Sequence, residues 1–316
     1  MGATTVKPVS VSEEPIAAVP PVRAPDGTRL TAWDLGGVGP PLVMLHATGF
    51  HGRCYAPLAA ALATDFHCYA LDLRGHGSSD LSASGTYEWA RFREDLVAMM
   101  DQLRLHQPLA FGHSLGGCVA LLAEEERPGT FSGIFAYEPI VFTVEHLQAA
   151  GRNRNMVGLT LRRRVRFGSK GEALFNYAAK PPFDRFRADA LWRYVDGAFD
   201  VQADGTATLH CPPEHEAQIY EQAALSGAFD RLGEVRAPVA LAYGAVNPDL
   251  GAAQHTRIAS RLADATVEEV PGLGHFGPFE EPDAVAARVA ASLLGSGQAF
   301  QAVRPEEVPV KVTPPD

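Results

Sequence analysis

A serine stands between glycines in the segment Gly112-His113-Ser114-Leu115-Gly116-Gly117, which fits the pattern G-x-S-x-G. The residues before it (108–112) predict a short buried strand, and residues 115–126 predict an apolar helix. A serine at such a turn exposes its hydroxyl, and the following helix directs backbone N–H groups and a positive dipole end toward it. The sequence therefore predicts Ser114 as a nucleophile.

A serine hydroxyl attacks efficiently only when a base accepts its proton. The segment Gly272-Leu273-Gly274-His275 follows the last predicted strand and precedes the last predicted helix, so its glycines allow an imidazole to lie over the sheet edge. We predict His275 as the general base. His113 lies within the serine turn, and we expect its side chain to point away from the serine. His210 and His215 are more typical of solvated side chains.

The elements that must position these groups alternate along the chain. Apolar runs predict strands, and 3.6-residue periodicity predicts helices. This alternation indicates an α/β fold with a mostly parallel, eight-stranded sheet and helices on both faces. We expect an arm at 1–21, a core at 22–142 and 229–295, a mainly helical lid at 143–228 and a tail at 296–316. The predicted strands are 29–34, 41–46, 66–73, 108–112, 131–137, 238–244 and 266–270, with a hairpin at 199–202 and 206–210; the predicted helices are 88–103, 115–126, 252–263 and 282–294.

Composition excludes several classes of protein. The 316 residues carry 27 Lys and Arg against 37 Asp and Glu, a formal net charge of −10, which argues against nucleic-acid binding. The four cysteines have no metal-ligand spacing and indicate free thiols in a reducing compartment. We recognise no signal peptide and no stretch approaching 18 apolar residues, and therefore expect a cytoplasmic protein that does not bind membranes.

Three further motifs give residues 22–295 a resemblance to the α/β-hydrolase superfamily. They are the loop His46-Ala47-Thr48-Gly49, the turn Asp72-Leu73-Arg74-Gly75-His76-Gly77-Ser78-Ser79, and a closing G-x-G-H…E-x-P pattern. The resemblance implies an oxyanion hole formed by the Leu115 N–H and a second N–H from Thr48 or Ala47, of which we favour Thr48. Ala47 stands where the family usually has glycine. We interpret the turn 72–79 as structural.

The resemblance also raises the question of which residue is the acid of the triad. The family usually places it after its seventh strand, but that position holds the neutral Asn247, with Asp249 two residues later. Some members, including certain haloalkane dehalogenases and mycotoxin lactonases, carry the acid after the sixth strand, where this chain has Glu138. We favour Glu138, with Asp249 as the alternative. An ion pair with a lid arginine would be the structural explanation of Glu138.

The lid and the candidate triad together suggest a function. Many lid aromatics must form the lid's own core, and the remainder would suit a hydrophobic substrate. The basic run Arg162, Arg163, Arg164 and Arg166 is either a solvated face or a site for an anionic group. We predict a serine hydrolase of a small hydrophobic ester or lactone, with neither cofactor nor metal, and the prediction leaves room for a homo-oligomer. The alternatives are a C–C bond hydrolase, a perhydrolase, an acyltransferase, or a receptor or structural protein on a hydrolase scaffold.

Overall fold

The computed structural model describes residues 16–143, 152–246 and 250–295. Within this part of the chain, eight strands are hydrogen-bonded in series and a ninth, two-residue strand pairs on one of them. In chain order, the first seven are β1 (Ala17–Ala18), β2 (Val22–Arg23), β3 (Arg29–Gly37), β4 (Pro41–Leu45), β5 (His67–Asp72), β6 (Leu109–His113) and β7 (Gly133–Tyr137). The sheet closes with β11 (Val239–Gly244) and β12 (Ala265–Val270).

The sheet is mostly parallel, as predicted. Its order is β1-β3-β5-β4-β6-β7-β11-β12, and every pair from β5 to β12 is parallel. The pairs that β3 forms with β1, β2 and β5 are antiparallel. Ala17 and Ala18 pair with β3, so the end of the predicted arm is joined to the sheet edge.

Helices cover both faces of this sheet. In β4, Leu42 and Met44 face one hydrophobic cluster while Val43 and Leu45 face the other, because successive side chains of a strand point to opposite faces. The helices beside the sheet are α1 (Ala56–Leu62), α2 (Trp89–Gln102), α3 (Leu115–Glu126) and α11 (Pro282–Leu294); α9 (Ala252–Ala259) and α10 (Gly277–Glu280) flank β12. The first cluster includes residues of α1 and α11, and the second includes residues of α2 and α3.

Between β7 and β11 the chain leaves the sheet and forms a mainly helical insertion. Its helices are α4 (Arg152–Thr160), α5 (Lys170–Ala178), α6 (Ala188–Ala198), α7 (Pro213–Gln222) and α8 (Ala228–Arg231). The predicted hairpin is present as β9 (Phe199–Val201) and β10 (Ala207–Leu209), and β8 (Arg166–Phe167) adds a third antiparallel strand. This segment occupies the place predicted for a lid.

One predicted helix is shorter than expected. Residues 252–263 predict a helix, but α9 ends at Ala259. The N–H groups of Arg261 and Leu262 donate three residues back, to Ile258 at 3.0 Å and Ala259 at 3.1 Å. Such bonds tighten the last turn beyond the α-helical geometry, so the sequence periodicity continues while the helix does not.

Candidate active site

The candidate nucleophile lies in the turn between β6 and α3. Ser114 has φ 57° and ψ −115°, a conformation that residues with a β-carbon rarely adopt. A β-carbon on Gly112 would lie 2.5 Å from Cα of Gly117, so strand and helix are too close for a side chain there. The Ser114 N–H donates to the Tyr137 carbonyl at 3.0 Å. The neighbouring strand and the glycines together hold Ser114 in this strained turn.

His275 lies in the loop between β12 and α10. Its side chain is 21% exposed, while the Glu138 side chain beside it is fully buried. His275 Nδ1 lies 2.6 Å from Glu138 Oε2, the distance of a short, charge-assisted hydrogen bond. Because a carboxylate only accepts, Nδ1 carries the hydrogen, and in the neutral imidazole the lone pair is on Nε2. The predicted base and the favoured acid are therefore in direct contact.

Glu138 is held in place at the end of β7. Its N–H donates to the Ala242 carbonyl at 2.8 Å, and its Oε1 accepts from the Gly244 N–H at 2.8 Å. Its φ of 44° makes it one of four non-glycine residues with positive φ in the described parts of the chain, and Ser114 is another. Such conformations cost about 1–3 kcal/mol each and concentrate at functional sites. The strain at Ser114 and Glu138 supports a functional interpretation of both.

The alternative acid falls in a part of the chain that the structure does not describe. Asp249 and Asn247 both lie outside the described residues. Glu138 contacts His275 through Oε2 and the Gly244 N–H through Oε1, so an ion pair with an arginine of the insertion is not needed to explain its position.

The loop after β4 carries the predicted second oxyanion donor. The Ala47 N–H donates to the Tyr55 hydroxyl at 3.2 Å, the Gly49 N–H to His76 Nε2 at 3.1 Å, and the Phe50 N–H to the Ala47 carbonyl at 3.1 Å. Among the described residues, the Thr48 N–H has no such partner. Of the two residues considered for this role, Thr48 is the one whose amide is not committed to the scaffold.

The other predicted donor is Leu115. It is the first residue of α3, and the first N–H groups of a helix have no partner within the helix. Its side chain is fully buried, whereas the adjacent Ser114 keeps 6% of its surface exposed. Because the Leu115 amide has no partner within the helix, it is available to a group bound at the serine.

The turn 72–79 supports this loop. Asp72 is fully buried and accepts hydrogen bonds from the Gly52 N–H at 2.7 Å, the Ser78 N–H at 2.8 Å and Trp33 Nε1 at 2.9 Å. Burial holds the pKa of His76 well below its ordinary value, so His76 is neutral and its Nε2 accepts the Gly49 N–H. These contacts agree with the structural interpretation made from the sequence.

His113 has contacts that the sequence did not reveal. It is fully buried, with Nε2 2.7 Å from the His275 carbonyl oxygen and Nδ1 2.8 Å from the Tyr55 hydroxyl. The only sequence signal was its place beside Ser114. Its side chain therefore contacts two of the site's loops.

The basic run of the insertion divides into two kinds of residue. Arg162, Arg164 and Arg166 are exposed. Arg163 forms an ion pair with Glu216 and donates to the hydroxyls of Tyr177 at 3.2 Å and Tyr194 at 2.6 Å. Its charge is balanced by a neighbouring carboxylate. The run is a solvated surface except for this one internal ion pair.

The sheet order, the nucleophile turn and the His–Glu contact can be compared with known proteins. A sequence profile described as the alpha/beta hydrolase family matches residues 42–288. The chain belongs to the alpha/beta hydrolase family. Within the described residues, no helix of this alpha/beta hydrolase is long and apolar enough to cross a membrane.

Curated relatives extend the comparison. Human monoglyceride lipase is 31% identical over 115 residues, which are 34% of this chain and 38% of the lipase. The 2-(acetamidomethylene)succinate hydrolase of Mesorhizobium japonicum is 26% identical over 252 residues, which are 76% of this chain and 83% of that protein. A crystal structure of E-2-(acetamidomethylene)succinate hydrolase matches with a TM-score of 0.73 at 21% identity, covering 88% of this chain and 99% of that one. At this identity the match supports the fold alone.

Proposed function

We propose that this chain is a serine hydrolase that cleaves a hydrophobic carboxylic ester or lactone through an acyl-enzyme. Ser114 is the nucleophile, His275 the general base and Glu138 the acid that orients it. The observation that carries the proposal is the 2.6 Å contact between His275 Nδ1 and Glu138 Oε2, formed beside a nucleophile turn.

The chemistry follows from the proton positions. With Nδ1–H held by Glu138, Nε2 of His275 accepts the Ser114 proton as Oγ attacks the carbonyl carbon. The imidazolium then gives this proton to the departing alkoxide, and the ester oxygen leaves as an alcohol. Water attacks the acyl-enzyme by the same route, releasing the acid and restoring Ser114. In a lactone, the alcohol stays attached to the acyl chain.

The Thr48 and Leu115 amides are our candidates for stabilising the negative oxygen formed at each attack. Removal of one such donor typically lowers turnover by about 10²–10³-fold. The Leu115 amide begins α3, where the helix dipole also favours negative charge. The uncommitted amide of Thr48 supports its assignment as the second donor.

A hydrophobic substrate is supported by the aromatic side chains beside the catalytic loops. Phe50 follows the oxyanion loop, and its ring lies 5.4 Å from that of Phe276, which follows His275. The rings of Phe183 and Phe186, from the insertion, each lie 6.1 Å from that of Phe50. The ion pair of Arg163 with Glu216 offers no uncompensated cation for an anionic substrate. The similarity to a monoglyceride lipase agrees with ester cleavage.

The test is hydrolysis of p-nitrophenyl esters and simple lactones by wild type, Ser114→Ala, Glu138→Gln and Asp249→Asn at equal folded concentration. Glu138 accepts from two N–H groups, of His275 and Gly244, and glutamine has only one acceptor oxygen. We expect Ser114→Ala to abolish turnover and Glu138→Gln to lower kcat by about 10⁴-fold, because replacing the triad carboxylate of a serine protease by its amide has an effect of that size.

Asp249→Asn is the matched control, because it removes the alternative carboxylate by the same chemical change. We expect its kcat to stay within twofold of wild type. A large loss in Asp249→Asn with little loss in Glu138→Gln would move the acid to the loop after β11. Wild-type turnover that survives Ser114→Ala would overturn the nucleophile itself.

A further inference from the structure

The proposed mechanism leaves the buried His113 without a role. Its side chain is fully buried directly before the nucleophile, and both of its ring nitrogens have hydrogen-bond partners. Tyr55, one of these partners, is 1% exposed and also accepts the Ala47 N–H of the oxyanion loop. A buried chain of three hydrogen bonds thus runs from Ala47 through Tyr55 and His113 to His275.

The groups at the two ends of this hydrogen-bond chain determine which atom donates in each of its bonds. The His275 carbonyl only accepts, so His113 Nε2 carries a hydrogen and donates at 2.7 Å. Burial holds the pKa of His113 well below its ordinary value, so the ring is neutral and Nδ1 has a lone pair. Tyr55 therefore donates to Nδ1 at 2.8 Å and accepts the Ala47 N–H at 3.2 Å. Each of the three hydrogen bonds therefore has one possible donor and one possible acceptor.

These hydrogen bonds join three segments that are distant in sequence. Ala47 precedes the candidate oxyanion donor Thr48, His113 precedes Ser114, and the last acceptor is the backbone of His275 itself. A second bond, from the Tyr137 hydroxyl to the Gly274 carbonyl at 2.8 Å, anchors the same histidine loop to β7. The Glu138 contact orients the imidazole, whereas the bond from His113 fixes the backbone that carries it.

We propose that Tyr55 and His113 are positioning residues that set the spacing between the oxyanion loop, Ser114 and His275. This role rests on the proposed function. Neither residue takes part in proton transfer, and their effect is on geometry. A displacement of about 1 Å in a catalytic group can cost about 10²-fold in rate, so loss of this chain lowers kcat more than KM.

The first test compares two tyrosines. Tyr55→Phe removes one buried hydroxyl from the chain. Tyr87→Phe is the matched control, because Tyr87 is 2% exposed and its hydroxyl also has two partners, His215 Nδ1 at 2.6 Å and the Ser82 N–H at 3.3 Å. With p-nitrophenyl esters we expect Tyr55→Phe to lower kcat about tenfold or more with KM within twofold, and Tyr87→Phe to leave kcat within twofold. Equal kcat values for both variants would overturn the proposal.

The second test uses rescue at His113. His113→Leu removes both bonds, and we expect kcat to fall about 100-fold. His113→Gln retains a donor and an acceptor, and we expect it to recover at least about tenfold of that loss. Because His113→Leu can also impair folding, kcat is measured per folded molecule, and the isosteric Tyr55→Phe carries the test independently. A glutamine variant no better than leucine would contradict a positioning role.

A measurement that does not need turnover separates this proposal from the proposed function. Nitrogen-15 spectra of wild type are expected to give His113 as a neutral ring protonated at Nε2, with the Nδ1 signal shifted in Tyr55→Phe. The opposite tautomer would overturn the chain of bonds even in an active enzyme. The expected tautomer in a protein without Ser114-dependent turnover would instead refute the proposed function, and the positioning role with it.

Discussion

Two adjacent glutamates on α3 are buried but differ in their surroundings. Glu124 is fully buried and accepts from the N–H groups of Gly129 at 2.7 Å, Phe131 at 3.0 Å and Ala237 at 3.2 Å. Glu125 is 1% exposed, and within the described parts of the chain neither of its carboxylate oxygens has a hydrogen-bond partner. Burial raises the pKa of Glu125 to about 8. The two positions should respond oppositely to removal of their charge.

The pKa of Glu125 determines how much this residue changes the free energy of unfolding with pH. The unfolded chain releases this proton near pH 4.5 and the folded protein near pH 8, so the folded state binds more protons in between. The free energy of unfolding therefore falls as pH rises through this range. The loss contributed by this group is about 3 kcal/mol at pH 7, about 5 kcal/mol above pH 8, and negligible below pH 4.5.

Glu125→Gln removes this titration and keeps the shape of the side chain. The free energy of unfolding of each protein is measured by urea denaturation at several pH values, and the wild-type value is subtracted. All titrations common to both proteins cancel in this difference. We expect the advantage of the variant to grow by about 4 kcal/mol between pH 5 and pH 9.

Glu124→Gln is the internal control. Its carboxylate serves three backbone N–H donors, and an amide has only one acceptor oxygen for them. We expect the variant to be less stable than wild type at pH 7, by about 1–3 kcal/mol. A difference between Glu125→Gln and wild type that does not change with pH would refute the reasoning, because it would mean that Glu125 is as easily ionised in the folded protein as in the unfolded chain.

Two further predictions concern the loops around the site. Gly49 has φ 79°, and a β-carbon there would lie 2.7 Å from Glu216 Oε1, so Gly49→Ala is expected to lower kcat about 10–100-fold. Gly27 has φ 90° but open space around it, so the control Gly27→Ala should lower the stability of the protein without lowering kcat. An unchanged kcat in Gly49→Ala would show that this loop tolerates displacement. Arg74 Nη2 lies 2.6 Å from Oδ1 of the buried Asp95, so Arg74→Met leaves this carboxylate without its cation. Urea denaturation is expected to show that the free energy of unfolding falls by about 3–5 kcal/mol. Asp95→Asn in the same chain should recover part of that loss, and no recovery would contradict the ion-pair explanation.

The sequence alone was sufficient for the architecture. Continuous apolar runs such as 41–46 predicted strands buried on both faces, and strands β4, β6 and β11 lie within two residues of the predicted bounds. Helices α3 and α11 begin and end where the periodicity placed them. These elements are determined by local patterns of apolar residues, so their signal is present in the chain itself. The two-residue strands β1, β2 and β8 carry no such pattern and exist only because a partner strand is adjacent.

In the candidate site, too, some residues were predictable from local sequence and others depend on tertiary contacts. Ser114 and His275 were predicted from short motifs, since glycines at fixed spacing indicate the close approach of strand and helix that a nucleophile turn requires. The choice of acid was open in the sequence, because Glu138 and Asp249 follow different strands and nothing local distinguishes them. The contact of Glu138 with His275 joins residues 137 positions apart, and it arises because β7 and β12, the strands that precede these residues, lie on either side of β11 in the sheet.

Only the tertiary structure decided which groups of neighbouring loops form hydrogen bonds and ion pairs with one another. The sequence shows a histidine before Ser114 but could not reveal that its ring bonds both Tyr55 and the backbone of His275. Likewise, four arginines in a run look alike in sequence, and only packing makes Arg163 an internal ion pair. A motif records the backbone geometry that its own residues require, whereas the partner of a buried polar group is set by whichever distant segment the fold brings within about 3 Å.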